Sequence, residues 1–470
     1  MSNAPRFVPV QAFLPIALCC ANLVGVVGCT TSRGSKAQSP VVAVTTFTQA
    51  ETTEAAPDTS GPWWNGLAST ELEGLISTAL KNNQTVAAAR ARLDQADATY
   101  RRAGAARLPT MDARVKADKD VKAEDRRLDR IEYGITASWE IDFFGRLGNT
   151  RRARAADRLS REHALAAARL ALTASVAEAY YGVIEQRLLL RLLAQQEKAV
   201  VDYVAIIQSR YDQGLISKID LLQQQGQLAD IRSLVPDAES NLRTQENLVN
   251  TLLGAGPGSA RPAEADPAFP ILPSLPSLGR PDDLLKKRPD LLAQQADLVA
   301  ADAEIGRAIS ERLPRLVFGL DALRVAGRTS EDPLITAAGT LVQPLLDWGS
   351  RRAEVARTKG VYTERLAVFS QTFLDAVFEV ENTVYRESRQ KELLLRLEER
   401  RQLLQASLDQ ARQRYVAGLT DYLPVLTSLQ QLYTVEQRLI REQRRLVSFR
   451  IALHRALGGP VPATEVAPAK

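Results

Sequence analysis

Apolar positions recur along this chain with two different periods. From Met111 to Asp118 the pattern alternates strictly. Met111, Ala113, Val115 and Ala117 are apolar, while Asp112, Arg114, Lys116 and Asp118 are polar. It resumes as Ile131, Tyr133, Ile135, Ala137, Trp139 and Ile141 against Glu132, Thr136, Ser138, Glu140 and Asp142. Period two places the classes on opposite faces of a strand, so strands are predicted over 110–119 and 131–142. Their length and one-sided polarity suit a transmembrane β-barrel with a wet interior. A soluble hairpin with one face on a core fits the same two segments.

Around this hairpin the period becomes helical. A helix is predicted from Glu71 to about Arg107, stopped by Leu108-Pro109, and a second over 146–213, free of proline. In the second, Leu170, Ala174, Ala177, Tyr181, Ile184 and Leu188 are spaced four and three apart, the seam of a coiled coil. A parallel row of smaller residues, Ala168, Leu172, Ser175, Ala179 and Gly182, implies a neighbour on a second side. At 1.5 Å per residue this helix is about 100 Å long, far more than a globular core accommodates. Gly214 breaks it. Leu221, Leu228, Val235, Leu242 and Val249 then recur every seven residues in a return helix over 218–253, which Pro236 should bend.

The second half repeats the first. Tyr415 and Tyr211 differ by 415 − 211 = 204, and Leu457 and Leu253 by 457 − 253 = 204. A proline-rich linker, 255–281, separates a first repeat (62–254) from a second (282–458). The second contains strands over 315–325 and 334–345, a long helix over 350–417 and a return helix over 420–457 carrying Val425, Leu432, Leu439, Leu446 and Leu453. Gln343 stands at the position of Trp139, and the alternation is poorer here. A tail, 459–470, has no pattern.

The fold class is therefore mainly α, internally duplicated, with long coiled-coil helices and four strands per chain. Four strands cannot close a barrel in lipid, where open edges leave polar backbone unsatisfied. A dimer would supply eight strands and a trimer twelve. Helices of about 100 Å exceed a hydrocarbon core of about 30 Å and must project from the membrane.

Composition narrows the chemistry. The net charge is +5, from 60 basic and 55 acidic residues dispersed along 470. No block of like charge marks a nucleic-acid partner. Two histidines, His163 and His454, are read as helix-surface residues, with no catalytic pairing, phosphate loop, metal site or cofactor site in view. The three cysteines, Cys19, Cys20 and Cys29, all lie in the first thirty residues. An apolar stretch from Phe7 to Gly28 reads as a signal peptide (1–28) rather than a spanning helix. Val26-Val27-Gly28-Cys29 matches the bacterial lipoprotein box, making Cys29 the expected lipidation site of a tether over 29–61, with Thr30 consistent with outer-membrane sorting.

These features resemble the TolC-like outer-membrane efflux protein family, in the lipidated branch typified by OprM and NodT. The resemblance is carried by Cys29 in its box, Pro62-Trp63-Trp64, Trp139-Glu140-Ile141-Asp142-Phe143-Phe144-Gly145-Arg146, Arg210-Tyr211-x-x-Gly214, Leu284-Leu285-x-x-Arg288-Pro289-Asp290, Pro344-Leu345-x-Asp347-x-Gly349 and Ala456-Leu457-Gly458-Gly459. It implies a homotrimer with a 12-stranded β-barrel in the outer membrane and a periplasmic α-barrel. It further implies docking to a periplasmic adaptor and an inner-membrane transporter of the RND type, and passive efflux of small solutes. Type I protein secretion is the alternative within this architecture; a periplasmic coiled-coil or adaptor lipoprotein is the alternative outside it.

By position, the resemblance assigns Gly214, Leu215, Gly418 and Leu419 to adaptor-contacting tip turns and Leu423 to an apolar ring at the periplasmic aperture. Related chains often carry aspartates six and nine residues after the second glycine; here those positions are Pro424 and Thr427. Asp220, six after Gly214, and Asp421, three after Gly418, are the expected source of aperture charge, with Arg210, Tyr211, Arg414 and Tyr415 as closing partners. An ordinary role for the aspartates, near helix N-termini, fits equally.

Overall fold

The computed structural model describes residues 46–48, 61–67, 69–118, 130–259, 261–263, 267–326 and 334–462. The signal segment, Cys29 and the end of the tail lie outside them. In chain order the elements are α1 (Thr70–Asn82), α2 (Gln84–Ala105), β1 (Thr110–Asp118), β2 (Arg130–Ile141), α3 (Arg146–Asp212), α4 (Lys218–Leu252), α5 (Leu284–Lys287), α6 (Pro289–Ser310), β3 (Arg315–Ala326), β4 (Leu334–Val342), α7 (Ser350–Val416) and α8 (Leu423–Ala456). They divide between two compact units.

The first unit comprises 99–155 and 298–363. Its sheet is antiparallel in the order β1-β2-β3-β4. Registers such as Val115↔Tyr133, Trp139↔Phe318 and Leu316↔Leu341 keep apolar residues of successive strands on one face. That face is open to the surroundings of the single chain, with Met111, Val115, Ile135, Phe318 and Leu341 all exposed. β1 and β4 are the outer strands. At β2, Gly134 is required by proximity, because a Cβ there would lie 2.0 Å from the Ala322 carbonyl oxygen. The Trp139 indole donates to the Arg107 carbonyl (3.0 Å), and the Gln343 amide makes the equivalent bond to Arg312 (3.4 Å). Gln343 thus replaces the hydrogen bond of Trp139 though not its ring. After β2, the Asp142 carboxylate accepts the amide hydrogens of Leu147 (2.9 Å) and Gly148 (2.6 Å), starting α3. Asp347 does the same for Gly349 and Arg351 before α7.

The second unit comprises the remaining helical segments. The helix expected over 71–107 is divided at Asn83. The Asn83 side chain accepts from the Thr85 and Val86 amides, capping α2, and donates to the Leu252 carbonyl at the end of α4. Its equivalent in the second repeat, Arg288, donates to the Ala456 carbonyl at the end of α8. In both repeats a return helix therefore ends against the start of a shorter helix. Gly254 and Gly458 close these junctions at φ 74° and 73°. A Cβ on either would meet backbone oxygen, Asn82 at 2.5 Å or Lys287 at 2.6 Å.

The seam of α3 is buried at Leu170, Ala174, Ala177, Tyr181 and Ile184. The smaller row is buried only in part, since Ser175 is exposed, and Gly182 admits the Gln245 side chain of α4. α4 continues through Pro236. α8 begins at Leu423 rather than 420, because Pro424 fits the first helical turn, where no N–H is needed, and leaves Thr420 and Asp421 outside.

Segments without periodicity are nevertheless packed. Phe47, within the expected tether, is 2% exposed, and Thr48 donates its amide and hydroxyl hydrogens to Glu381 at 2.6 and 2.7 Å. Arg450 donates to the Pro273 and Ser274 carbonyls of the linker, and Arg187 donates to Pro262. Trp63 donates its amide hydrogen to Pro460, so the tail's first residues join this unit. His454 does not lie free on a helix surface: it stacks under Trp63 at 5.5 Å, which holds it half-buried.

Candidate functional site: the paired helical tips

The two tips are built by the same local chemistry. At the end of α3, Gly214 donates to Tyr211 (2.8 Å) and Leu215 to Arg210 (3.0 Å); at the end of α7, Gly418 donates to Tyr415 (3.0 Å) and Leu419 to Arg414 (2.9 Å). This hydrogen-bond pair satisfies the last helical carbonyls and needs a left-handed residue, supplied by Gly214 at φ 72° and Gly418 at φ 70°. Leu215, Leu419 and Leu423 point outward, 62%, 69% and 55% exposed. Nothing approaches a Cβ position on either tip glycine. Conformation alone therefore selects glycine here, unlike at Gly254 and Gly458.

Beneath the turns the two hairpins pack on each other. Leu193, Val200, Ile207, Leu221, Leu408, Val425 and Leu429 form a shared core with Tyr422, while Tyr211 and Tyr415 flank it. The Arg210 guanidinium lies over the Tyr415 ring (4.8 Å), and Arg412 over Tyr203 (4.9 Å). Tyr415 meets Tyr422 edge to face at 5.2 Å. The Tyr422 hydroxyl donates to the fully buried Gln224, and Gln430 donates to Gln227 (2.8 Å). Burial pushes the Tyr415 phenol above its ordinary value, and its hydroxyl has no hydrogen-bond partner among the described residues.

The structure does not join the two expected aspartates in one constellation. Asp220 sits in the first turn of α4 and accepts the Ser217 amide hydrogen (3.3 Å) while the Ser217 hydroxyl accepts from Ile219 (3.1 Å). It is thus the acidic member of a capping box, a role its position three after Ser217 could have signalled. Asp421 is exposed in the turn before α8. Arg210 and Tyr415 are brought together; Arg414 is exposed and Tyr211 half-buried. Residues that periodicity did not single out, Tyr203, Arg412, Tyr422 and Gln224, join the hairpins through contacts separated by some two hundred positions.

With the duplicated hairpins and the sheet in view, comparison decides the kinship: residues 75–255 and 281–459 match the outer membrane efflux protein family. The chain belongs to that family. It is 28% identical over 432 residues to the pyoverdine export outer membrane protein OpmQ of Pseudomonas putida, covering 86% of this chain and 89% of that one. Against the toluene efflux pump outer membrane protein TtgI, also of Pseudomonas putida, it is 25% identical, covering 82% and 84%. The solved outer-membrane channel OprN superposes with a TM-score of 0.85 at 24% identity, covering 92% of this chain and 99% of OprN. VceC of Vibrio cholerae superposes at 0.77 and 23% identity, covering 85% and 99%. This outer membrane efflux protein thus shares its fold with solved channels over nearly their whole length.

Proposed function

We propose that this protein is the exit duct of a tripartite efflux system: a lipid-anchored homotrimer that passively conducts small solutes from an inner-membrane RND-type pump and its periplasmic adaptor to the cell exterior. The observation that carries this reading is the four-stranded sheet, apolar on one exposed face, whose outer strands β1 and β4 lack partners in the described chain. In a bilayer such edges must be closed by further copies, and three copies give the twelve strands the family uses. Family kinship supports the outer-membrane efflux role, and the Cys29 box supports the lipid anchor.

In this reading the tips form the periplasmic mouth. Leu215 and Leu419 offer apolar contacts to an adaptor, Leu423 narrows the opening, and Asp220 and Asp421 give it negative charge. Cys29 carries the lipid. Relatives at similar identity bear names for different cargo, pyoverdine and toluene, so cargo choice is assigned to the pump.

Single-channel recording in planar bilayers tests the duct. The purified protein should give trimer-sized particles and a discrete conductance; a monomer without conductance would refute the reading. Asp220→Asn with Asp421→Asn removes the charge while leaving a side-chain oxygen at position 220 to accept the Ser217 amide hydrogen. Loss of cation block is expected, and unchanged block would eliminate the charge ring.

A further inference from the structure

We propose that one end of the sheet carries a collar for anionic phospholipid, in which Arg107 and Arg312 hold headgroup phosphates of the periplasmic leaflet. The inference rests on the channel reading above. All four strands join their helices at the same end of the sheet: α2 leads into β1, β2 into α3, α6 into β3 and β4 into α7. In the channel reading the helices lie in the periplasm, so this end meets the inner face of the outer membrane.

Two equivalent turns mark that end. Arg107-Leu108-Pro109 precedes β1 and Arg312-Leu313-Pro314 precedes β3, at an offset of 312 − 107 = 205. Trp139 belongs to the apolar outward face, and its indole donates to the Arg107 carbonyl (3.0 Å). Gln343 follows Leu341 by two residues on the same face and donates to the Arg312 carbonyl (3.4 Å). Each arginine's backbone is thereby fastened to the lipid-facing side. Both side chains are exposed and have no partner among the described residues. Arg312 already has a strand on either side of β3 within the chain and is still exposed. Closing the sheet with further copies therefore leaves Arg107, its equivalent beside the edge strand, exposed as well. Leu108, Phe143 and Trp139 are exposed around it, the apolar and aromatic residues that suit a membrane interface.

The positive charge here is not balanced by the protein. Nearby carboxylates are already engaged: Glu140 with Arg146 (2.7 Å), Asp347 with Arg351 (3.2 Å), Glu311 with Arg307, and Asp142 with the Leu147 and Gly148 amides. α3 and α7 both start without an acidic residue in the first turn. Arg352 instead stands exposed in the first turn of α7, without a partner among the described residues, where a cation opposes the helix dipole. An anion from outside the chain completes this arrangement. A phosphate fits, because a guanidinium presents forked donors to its oxygens. Beside a lipid-facing indole, the phosphates at hand are those of phospholipid headgroups, which basic residues at a membrane surface attract.

Quenching of Trp139 by brominated lipid tests the collar in the full-length protein reconstituted into phosphatidylcholine vesicles, with Trp348→Phe as background. Bromines carried on phosphatidylglycerol should quench more strongly than bromines carried on phosphatidylcholine, and added salt should narrow the difference. Arg107→Gln with Arg312→Gln should weaken the preference for phosphatidylglycerol by about fivefold per arginine. Arg152→Gln removes an equal charge from an arginine engaged by Asp302 and should keep the preference. A preference that is absent, insensitive to salt, unchanged in the double variant or lost equally in Arg152→Gln overturns the collar while leaving the channel reading intact. Abolition of the preference by millimolar inorganic phosphate would assign the arginines to free phosphate and overturn the lipid assignment. A protein quenched by neither brominated lipid is not in the bilayer, which overturns the channel reading as well.

Discussion

Arg450 grips Glu387 with two hydrogen bonds, 3.0 and 2.6 Å long, in a pocket that leaves the side chains 1% and 0% exposed. Lys391 reaches the same carboxylate at 3.0 Å. At the equivalent positions of the first repeat the carboxylate has moved: Val183 stands for Glu387, and Glu246, which stands for Arg450, pairs with Arg187, which stands for Lys391. Both clusters hold the linker, through Pro262 and Pro273.

Removing one partner should cost more than removing both. Glu387→Leu alone leaves Arg450 buried and uncompensated, and about 3–5 kcal/mol of stability should be lost. Glu387→Leu with Arg450→Met should recover much of that loss. Chemical denaturation monitored by helical circular dichroism measures both; equal losses would contradict the account.

The same pair predicts an acid limit. Burial alone would raise the Glu387 carboxyl, but the hydrogen bonds and charge of Arg450, then Lys391, hold it below the usual range. A depressed carboxylate contributes stability that is present above its unfolded value of about 4.3 and lost as pH falls through the folded one. Melting temperature should therefore drop below about pH 4, and Glu387→Gln should flatten that segment of the profile.

His454 acts in a separate window. Its burial under Trp63, with repulsion from Arg450 opposed by Glu387, lowers its pKa to about 4. The unfolded chain takes up this proton near pH 6.5, so stability should decline from there to about pH 4 and level off once both states are protonated. His454→Phe keeps a ring beneath Trp63 and should make that interval shallower while leaving neutral pH unchanged. Thermal melts of the two proteins across roughly pH 4–7 check this.

Glycines with the same backbone angle should respond differently. Gly214→Ala meets nothing and should cost about 1–2 kcal/mol for the left-handed conformation. Gly254→Ala carries the same penalty and also drives a methyl group to 2.5 Å from the Asn82 carbonyl oxygen. It should destabilise the protein markedly more, as read by the melting temperature.

Phe47 and Thr48 fasten part of the N-terminal segment. Phe47→Ala removes a fully buried ring, a change that typically costs about 3–5 kcal/mol in a core and should here release the local segment rather than unfold the helices. Glu381→Gln weakens the two hydrogen bonds from Thr48. Both variants should be cut faster by limited proteolysis between Cys29 and Trp63, with the helical content unchanged.

Much of this protein was determined by the sequence alone, because the decisive signals are local. Alternation from Met111 to Ala117 and from Ile131 to Ile141 follows from strand geometry. The heptads follow from helix packing, and the tip turns from the left-handed conformation that Gly214 and Gly418 adopt. Duplication fixed the element order twice over. What only the tertiary structure decided depends on partners distant in sequence. Asn83 divides a helix because its side chain also reaches Leu252; Phe47 is buried where Thr48 bonds to the distant Glu381; Glu387 is held charged because Arg450 arrives sixty-three residues later. The tips illustrate the division best. Sequence placed Arg210, Tyr211, Arg414 and Tyr415 at equivalent helix ends, but the choice of Arg210 for Tyr415 required the folded hairpins, since a cation and a ring attract only where packing brings them within a few ångströms.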